Sequence, residues 1–187
     1  PRVLTALLLL SLLAPASALA AGGPDSFGYE WDTATYDWVD LSSGPGTLIS
    51  GLCFDDAEAT VSLPFTFSYY GNAYTSVRVA DNGALSFNTA ASITYSNACL
   101  PTSTGTTYPD LAVYWDDLIS SNKVYSYNDT AGGRFIISWE DVAHYSGGGA
   151  ASFQVHLYPS GLIEYHFADV YFGSSSYNNG ASATVGM

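Results

Sequence analysis

Apolar and polar residues alternate along most of this chain with a period of two, the signature of strands that bury one face. The clearest case is residues 60–67, where Val61, Leu63, Phe65 and Phe67 fall on one side and Thr60, Ser62 and Thr66 on the other. Pro64 lies in the polar row. Proline has no N–H to give to a ladder, so this strand is expected at a sheet edge or with a bulge at that point.

Two hairpins can be read down to register. Centring the turn of residues 77–87 on Asn82 opposes Val79 with Leu85 and Val77 with Phe87. Asp81-Asn82-Gly83 suits a three-residue loop whose last position has positive φ, a conformation glycine adopts without steric cost. Centring the turn of residues 158–162 on Ser160 pairs Leu157 with Ile163, Val155 with Tyr165 and Phe153 with Phe167. A slip of one residue would set the apolar row against a polar one.

Further alternating segments at 111–115, 123–127 and 134–139 are each bounded by Gly, Asn, Asp or Ser, while 27–31 and 36–41 are shorter extended pieces. Residues 183–187 read as a strand still under way at Met187, so the expectation is a domain cut within its last strand. No segment of residues 21–187 shows an amphipathic helical period. The fold class expected is all-β, an antiparallel β-sandwich or jelly-roll-like arrangement of about eight to ten short strands.

The first twenty residues break the alternation. Arg2 precedes an apolar run from Val3 to Leu13, and Ala18-Leu19-Ala20 supplies the small-x-small pattern that a signal peptidase requires. Residues 1–20 are thus expected to be a secretory signal peptide, too short to span a membrane, and residues 21–187 a single domain. The expected location is outside the cell or on its surface, with no membrane insertion once the leader is gone.

That setting colours the rest of the composition. Beyond the leader, only Arg78, Lys123 and Arg134 are basic, against seventeen acidic residues. A polyanion binder needs clustered Lys or Arg, so nucleic acid is excluded as a partner class. Cys53 and Cys99 form an even pair in an oxidising compartment and are expected to be bridged. Closing a loop of that length stabilises a fold by roughly 4 kcal/mol in the chain-entropy model.

Candidate chemistry is thin. His156 and His166 fall on the polar face of one hairpin, opposite Glu164 and Gln154, where a metal could sit; the simpler expectation is a solvated face. His144 has no evident partner. The acidic pairs Asp55-Asp56 and Asp116-Asp117 are the metal candidates, calcium being the ion that loop oxygens satisfy most easily, although no calcium-loop pattern is present and no cofactor is the default. Glu140-Asp141 is a third pair. Paired carboxylates also raise a glycosidase reading, which needs a separation that sequence does not supply. Common hydrolase signatures are absent. Tyrosines 69, 70, 74, 95, 108, 145 and 177 fall in or beside loops, where they can stack on sugars or anchor an interface; Tyr70, Tyr74, Tyr108 and Tyr145 are the binding candidates.

The order of motifs carries a resemblance. Gly23-Pro24-Asp25-Ser26-Phe27-Gly28-Tyr29-Glu30-Trp31 resembles the opening of an accessory domain of secreted bacterial proteins, often found beside extracellular peptidases. Tyr70-Gly71-Asn72-Ala73-Tyr74 and Val79-Ala80-Asp81-Asn82-Gly83 follow in the same order. Trp115-Asp116-Asp117-Leu118, then Trp139-Glu140-Asp141-Val142 and Phe153-Gln154-Val155, are similar to the nidogen-type extracellular domain. The resemblance implies an accessory or adhesive role with no catalytic residue set. The function expected is a noncatalytic secreted or cell-surface module contacting an extracellular protein. The alternative is a carbohydrate-binding module, calcium-assisted, whose partner is a glycan.

Overall fold

The alternating segments pair as antiparallel strands throughout. This computed structural model describes residues 21–90, 92–100 and 109–187. The expected leader at 1–20 and the candidate Tyr108 lie outside them.

Among the described residues, those from Ala21 to Thr35 form a unit of their own. Within it β1 (Ala21–Gly22) pairs with β2 (Trp31–Asp32). The Asp25 carboxylate closes the connecting turn by accepting from the amides of Phe27, Gly28 and Tyr29 at 2.8–2.9 Å. The Gly23–Trp31 motif is thus an aspartate-centred turn, and Gly28, at φ 107°, supplies its left-handed position.

The second unit, from Tyr36 onward, carries two larger sheets. In chain order its strands are β3 (Thr47–Leu48), β4 (Glu58–Tyr69), β5 (Asn72–Ala80), β6 (Ala84–Ser86), β7 (Leu111–Trp115), β8 (Leu118–Ile119), β9 (Val124–Asp129), β10 (Arg134–His144), β11 (Ala150–Leu157), β12 (Ile163–Asp169) and β13 (Thr184–Gly186). One sheet runs β12-β11-β10-β9-β3 with β8 on the last residues of β10; the other runs β13-β7-β6-β5-β4. All-β architecture therefore holds.

Both hairpin registers are as the pattern dictates. Val79 opposes Leu85, and Leu157, Val155 and Phe153 oppose Ile163, Tyr165 and Phe167. Gly83 has φ 72°. β4 is an edge strand, and its pairing with β5 is interrupted between Ser62 and Phe67, around exposed Pro64. The two sheets meet through Trp139, whose indole N–H donates to the Ala80 carbonyl at 3.0 Å, and through Tyr114 stacked on Phe153 at 5.3 Å. Such aromatic pairs fill a sandwich core while giving each polar handle a partner.

Three expectations need correction. First, Cys53 and Cys99 are free thiols. Leu52, next to Cys53, is tied by its carbonyl to Ser120 and Asn122, whereas Ala98, next to Cys99, is tied to Thr184 on β13. Different neighbours claim the two loops.

Second, the polar face of β10–β12 is not solvated: Ser138, Gln154, His156 and His166 are buried on it. Residues 37–43 cross it as a strap. Glu140 accepts from the amides of Leu41 and Ser42 at 2.8 and 2.9 Å, Gln154 accepts from Val39 N and donates to Val39 O, and His166 Nδ1 accepts from Asp37 N at 3.3 Å. The segment 36–41 is thus no ladder strand. Side chains of the sheet satisfy its backbone instead.

Third, the alternation of β7 breaks in the middle. The amides of Val113 and Tyr114 both donate to Gly83 O, at 3.2 and 3.0 Å, a bulge that moves Trp115 to the side of Ala112. There Trp115 packs on Ala80, Ala84, Ala112 and Ile93.

Candidate functional site

Three loops converge where the β7 bulge releases the chain. The 81–83 turn is at their centre, and it is buried: Asp81 and Asn82 are both fully shielded from solvent. Asn82 works as a tie. Its Nδ2 donates to Asp56 Oδ1 at 2.9 Å, its Oδ1 accepts from Leu118 N at 2.7 Å, and its carbonyl accepts from Asp116 N at 3.3 Å. Asp81 N donates to Ala57 O at 3.0 Å. Gly83 admits no side chain, because a Cβ there would lie 2.1 Å from Tyr114 O.

These ties shape an open cavity of about 280 Å³ lined by Asp55, Asp56, Tyr95, Asp117 and Tyr145. Specific bonds place several of the lining residues, Asp56 through Asn82 among them. Tyr145 N donates to Asp117 O at 2.8 Å, joining the end of β10 to the β7–β8 link. The Trp115 indole donates to Thr94 O at 2.7 Å and so seats the loop that carries Tyr95. Tyr95 is 49% exposed and Tyr145 56%, and Phe54, beside Asp55 in the chain, is 71% exposed.

Among the described residues, every Lys and Arg is engaged by other acids. Arg78 pairs with Glu58, Lys123 with Asp141, and Arg134 with Asp37 and Asp129. Burial, then the neighbouring charge of Asp56, raises the pKa of Asp55; burial and the charge of Asp55 raise that of Asp117. Asp81 is pushed furthest, to about 8, by burial and by the charges of Asp56 and Asp55. Neither of its carboxylate oxygens has a hydrogen-bond partner. The amides of Asn82 and Ala57 pull weakly the other way without reaching bonding geometry.

The candidate residues therefore separate. Asp55, Asp56, Asp117 and Tyr145 come together around one cavity. Asp116 turns away: it is buried, its Oδ2 accepts from Ser182 at 2.5 Å and its Oδ1 from Asp117 N at 3.0 Å. Tyr74 stacks on Phe87 at 4.9 Å, and Tyr70 meets Tyr69 edge-on at 4.7 Å, so both belong to an aromatic cluster away from the cavity lining. Glu140 anchors the strap, and Asp141 holds Lys123. Asp81 escaped the sequence reading because it looked like an ordinary turn residue. The signal was its position directly after Val79-Ala80, where core parity runs into the turn.

The histidines lie elsewhere. Donor atoms of His156, Glu164 and His166 fall within 4.8 Å of one another, a spacing that would suit a metal. Arg134 already supplies the cation: its Nη1 lies 3.1 Å from His156 Nδ1 and 2.6 Å from Asp37 Oδ2, and Tyr158 donates to Glu164 Oε2 at 2.7 Å. Burial, then the proximity of His166 and Arg134, pushes His156 down to about 3, so it is neutral. His144 stacks on Tyr177 at 3.7 Å, with Nδ1 accepting from Ser146 N and Nε2 at 3.6 Å from Asp116.

The fold and the loop site together define an all-β module with an acidic, aromatic-rimmed end. The chain belongs to the NIDO-related family, whose model matches residues 28–187. That membership indicates an extracellular module. The match begins at Gly28 and so leaves the first part of the Gly23–Trp31 motif outside it. No curated protein and no solved structure matches the chain. Among the described residues, no helix is long and apolar enough to cross a membrane.

Proposed function

We propose that this protein is a noncatalytic module, secreted or displayed at a cell surface, that binds an extracellular protein through the loop end carrying Phe54, Tyr95 and Tyr145. The observation that carries this reading is the exposure of three large aromatics at and beside one carboxylate cavity. Aromatic side chains offer large contact area at low entropy cost, and they dominate binding energy where they surround a polar centre. A noncatalytic role is supported by how the histidines are engaged: two lie beneath the strap and the third is stacked on Tyr177.

A second reading has its own support. Tyr95 and Tyr145 flank carboxylates, which suits a sugar bound by stacking. The test is to probe immobilised extracellular matrix proteins and a glycan array with the wild-type chain and with Tyr95→Ala and Tyr145→Ala. Binding to a protein, weakened roughly tenfold or more by either substitution, is expected. Binding confined to glycans would move the assignment to the second reading. Binding that neither substitution weakens would overturn the site.

A further inference from the structure

We propose that residues 37–39 of the strap form a proton-released latch: a proton added to either buried histidine beneath them, His156 or His166, breaks a bond that holds the strap to the face of β10–β12. Mild acid then uncovers that face while the sheet itself stays folded.

The hydrogen bonds leave the two rings no room for a further proton. His166 Nδ1 accepts from Asp37 N at 3.3 Å, so the single proton of the neutral ring is on Nε2, which lies 3.5 Å from Glu164 Oε2 without a hydrogen bond. A second proton has to go to Nδ1, where it would meet the Asp37 N–H, donor against donor. His156 is filled in the same way. Its Nε2 lies 3.1 Å from Gln154 Oε1, which the bonds to Val39 N and Val39 O identify as the acceptor end of that amide. Its Nδ1 lies 3.1 Å from Arg134 Nη1, a group that can only donate. A proton added there would displace Arg134, and the same Nη1 holds Asp37 Oδ2 at 2.6 Å. Both routes end on Asp37.

Charged and titratable groups face the pair from every side. Arg134 comes from β10 and Asp129 from β9, bonded to each other at 2.9 Å. Glu164 on β12 accepts from Tyr158, and the strap brings Asp37 together with the Tyr36 ring, 6.1 Å from that of His166. The rings of His156 and His166 are centred 4.2 Å apart, so a charge on one opposes a charge on the other. Burial, then His166 and Arg134, hold the His156 pKa down at about 3 from an ordinary 6.5, while Asp37 and Asp129, both engaged by Arg134, pull the other way. Opening the strap returns the ring to water and restores its affinity for the proton. Closure is therefore at full strength above the ordinary value of 6.5 and weakens as pH falls below it. One proton taken up on opening changes the open-to-closed ratio roughly tenfold per pH unit. The Asp37 carboxyl, held below its ordinary 3.8, adds a separate step at lower pH.

The test is hydrogen exchange of the full chain, read residue by residue between about pH 7.5 and about pH 5 and normalised to the β10 and β11 amides. The Asp37 and Val39 amides are expected to lose protection roughly tenfold or more over this span, and Leu41 and Ser42, tied to Glu140 instead, to lose less. Asparagine in place of each histidine puts an amide oxygen where Nδ1 accepts but takes up no proton, so a chain carrying both His156→Asn and His166→Asn should show no such loss. Should that double variant fail to fold, the wild-type imidazole resonances decide: both rings are expected to gain their proton in step with the loss of strap protection. Normalised protection of Asp37 and Val39 that is the same at both ends of the range overturns the proposal. So does a loss that the double variant retains undiminished, or one that proceeds while both rings stay neutral.

Discussion

Gln154 does with its side chain what a neighbouring strand does with its backbone: it accepts from Val39 N and donates to Val39 O. It also donates to Ser138 Oγ at 3.0 Å and takes part in a bond to His156 Nε2. Gln154→Leu keeps the volume and removes every one of these bonds, leaving buried backbone groups unsatisfied. A loss of about 2–3 kcal/mol in urea unfolding is expected. On a solvated face the same change would stay within about 0.5 kcal/mol, so the measurement separates the two environments. Residue by residue, the candidate site was legible where chemistry sits in adjacent pairs. Asp55-Asp56 and Asp117 were visible as acids in loops, and Tyr145 as a loop aromatic. Asp116 and Asp117 looked equivalent because the β7 bulge that sends one inward and the other to the cavity depends on Gly83 O, thirty residues away in the chain and closed over by tertiary contact. Tyr95 was one loop tyrosine among several until the Trp115 indole fixed its loop.

At the level of elements, local alternation dictated partners but not what covers them. The register of β11 and β12 follows from which residues must share a face, because a one-residue slip exchanges both faces. Whether the second face meets water is decided by the strap, which shows no apolar period because hydrogen bonds rather than burial hold it. Asp37 fastens the strap to Arg134 at 2.6 Å, and that hydrogen bond lowers the Asp37 pKa below its ordinary 3.8. Facing the same point are His156 and His166. The sign is set by the lowered value: the ion pair contributes above the ordinary carboxylate pKa and is lost as pH falls through the depressed one. Half-exposed Asp37 makes the contribution modest, under about 1 kcal/mol. Hydrogen exchange at residues 37–42 is therefore expected to quicken, relative to the β10 and β11 amides, when pH is taken below ~4. Equal protection of strap and sheet down to global unfolding would contradict it.

For the whole molecule, charge is the dominant variable. The formal net charge is −13, and each of the three basic side chains in the described residues is already in an ion pair. Unpaired acids then repel across the surface, a cost that screening relieves. With divalent ions chelated, raising sodium chloride from about 10 mM to about 150 mM should increase the melting temperature by a few degrees, as followed by circular dichroism. A fall with salt would mean that the ion pairs outweigh the repulsion. At this scale the all-β class was readable in the succession of short alternating segments, and the family in the order of its motifs. The expected Cys53–Cys99 bridge was not, because cysteine count speaks to compartment and says nothing of which loops meet.

Pro64 has a bearing on the protein's solubility. It sits on β4, the terminal strand of the five-stranded sheet, where the ladder with β5 is already broken. An outer strand of twelve residues would otherwise offer a long row of open amides and carbonyls to the matching strand of another copy. With an imide in place of one amide and the pleat disturbed around it, that row cannot template end-to-end growth. The same residue that interrupts the sheet internally is thereby a guard against fibrous self-association.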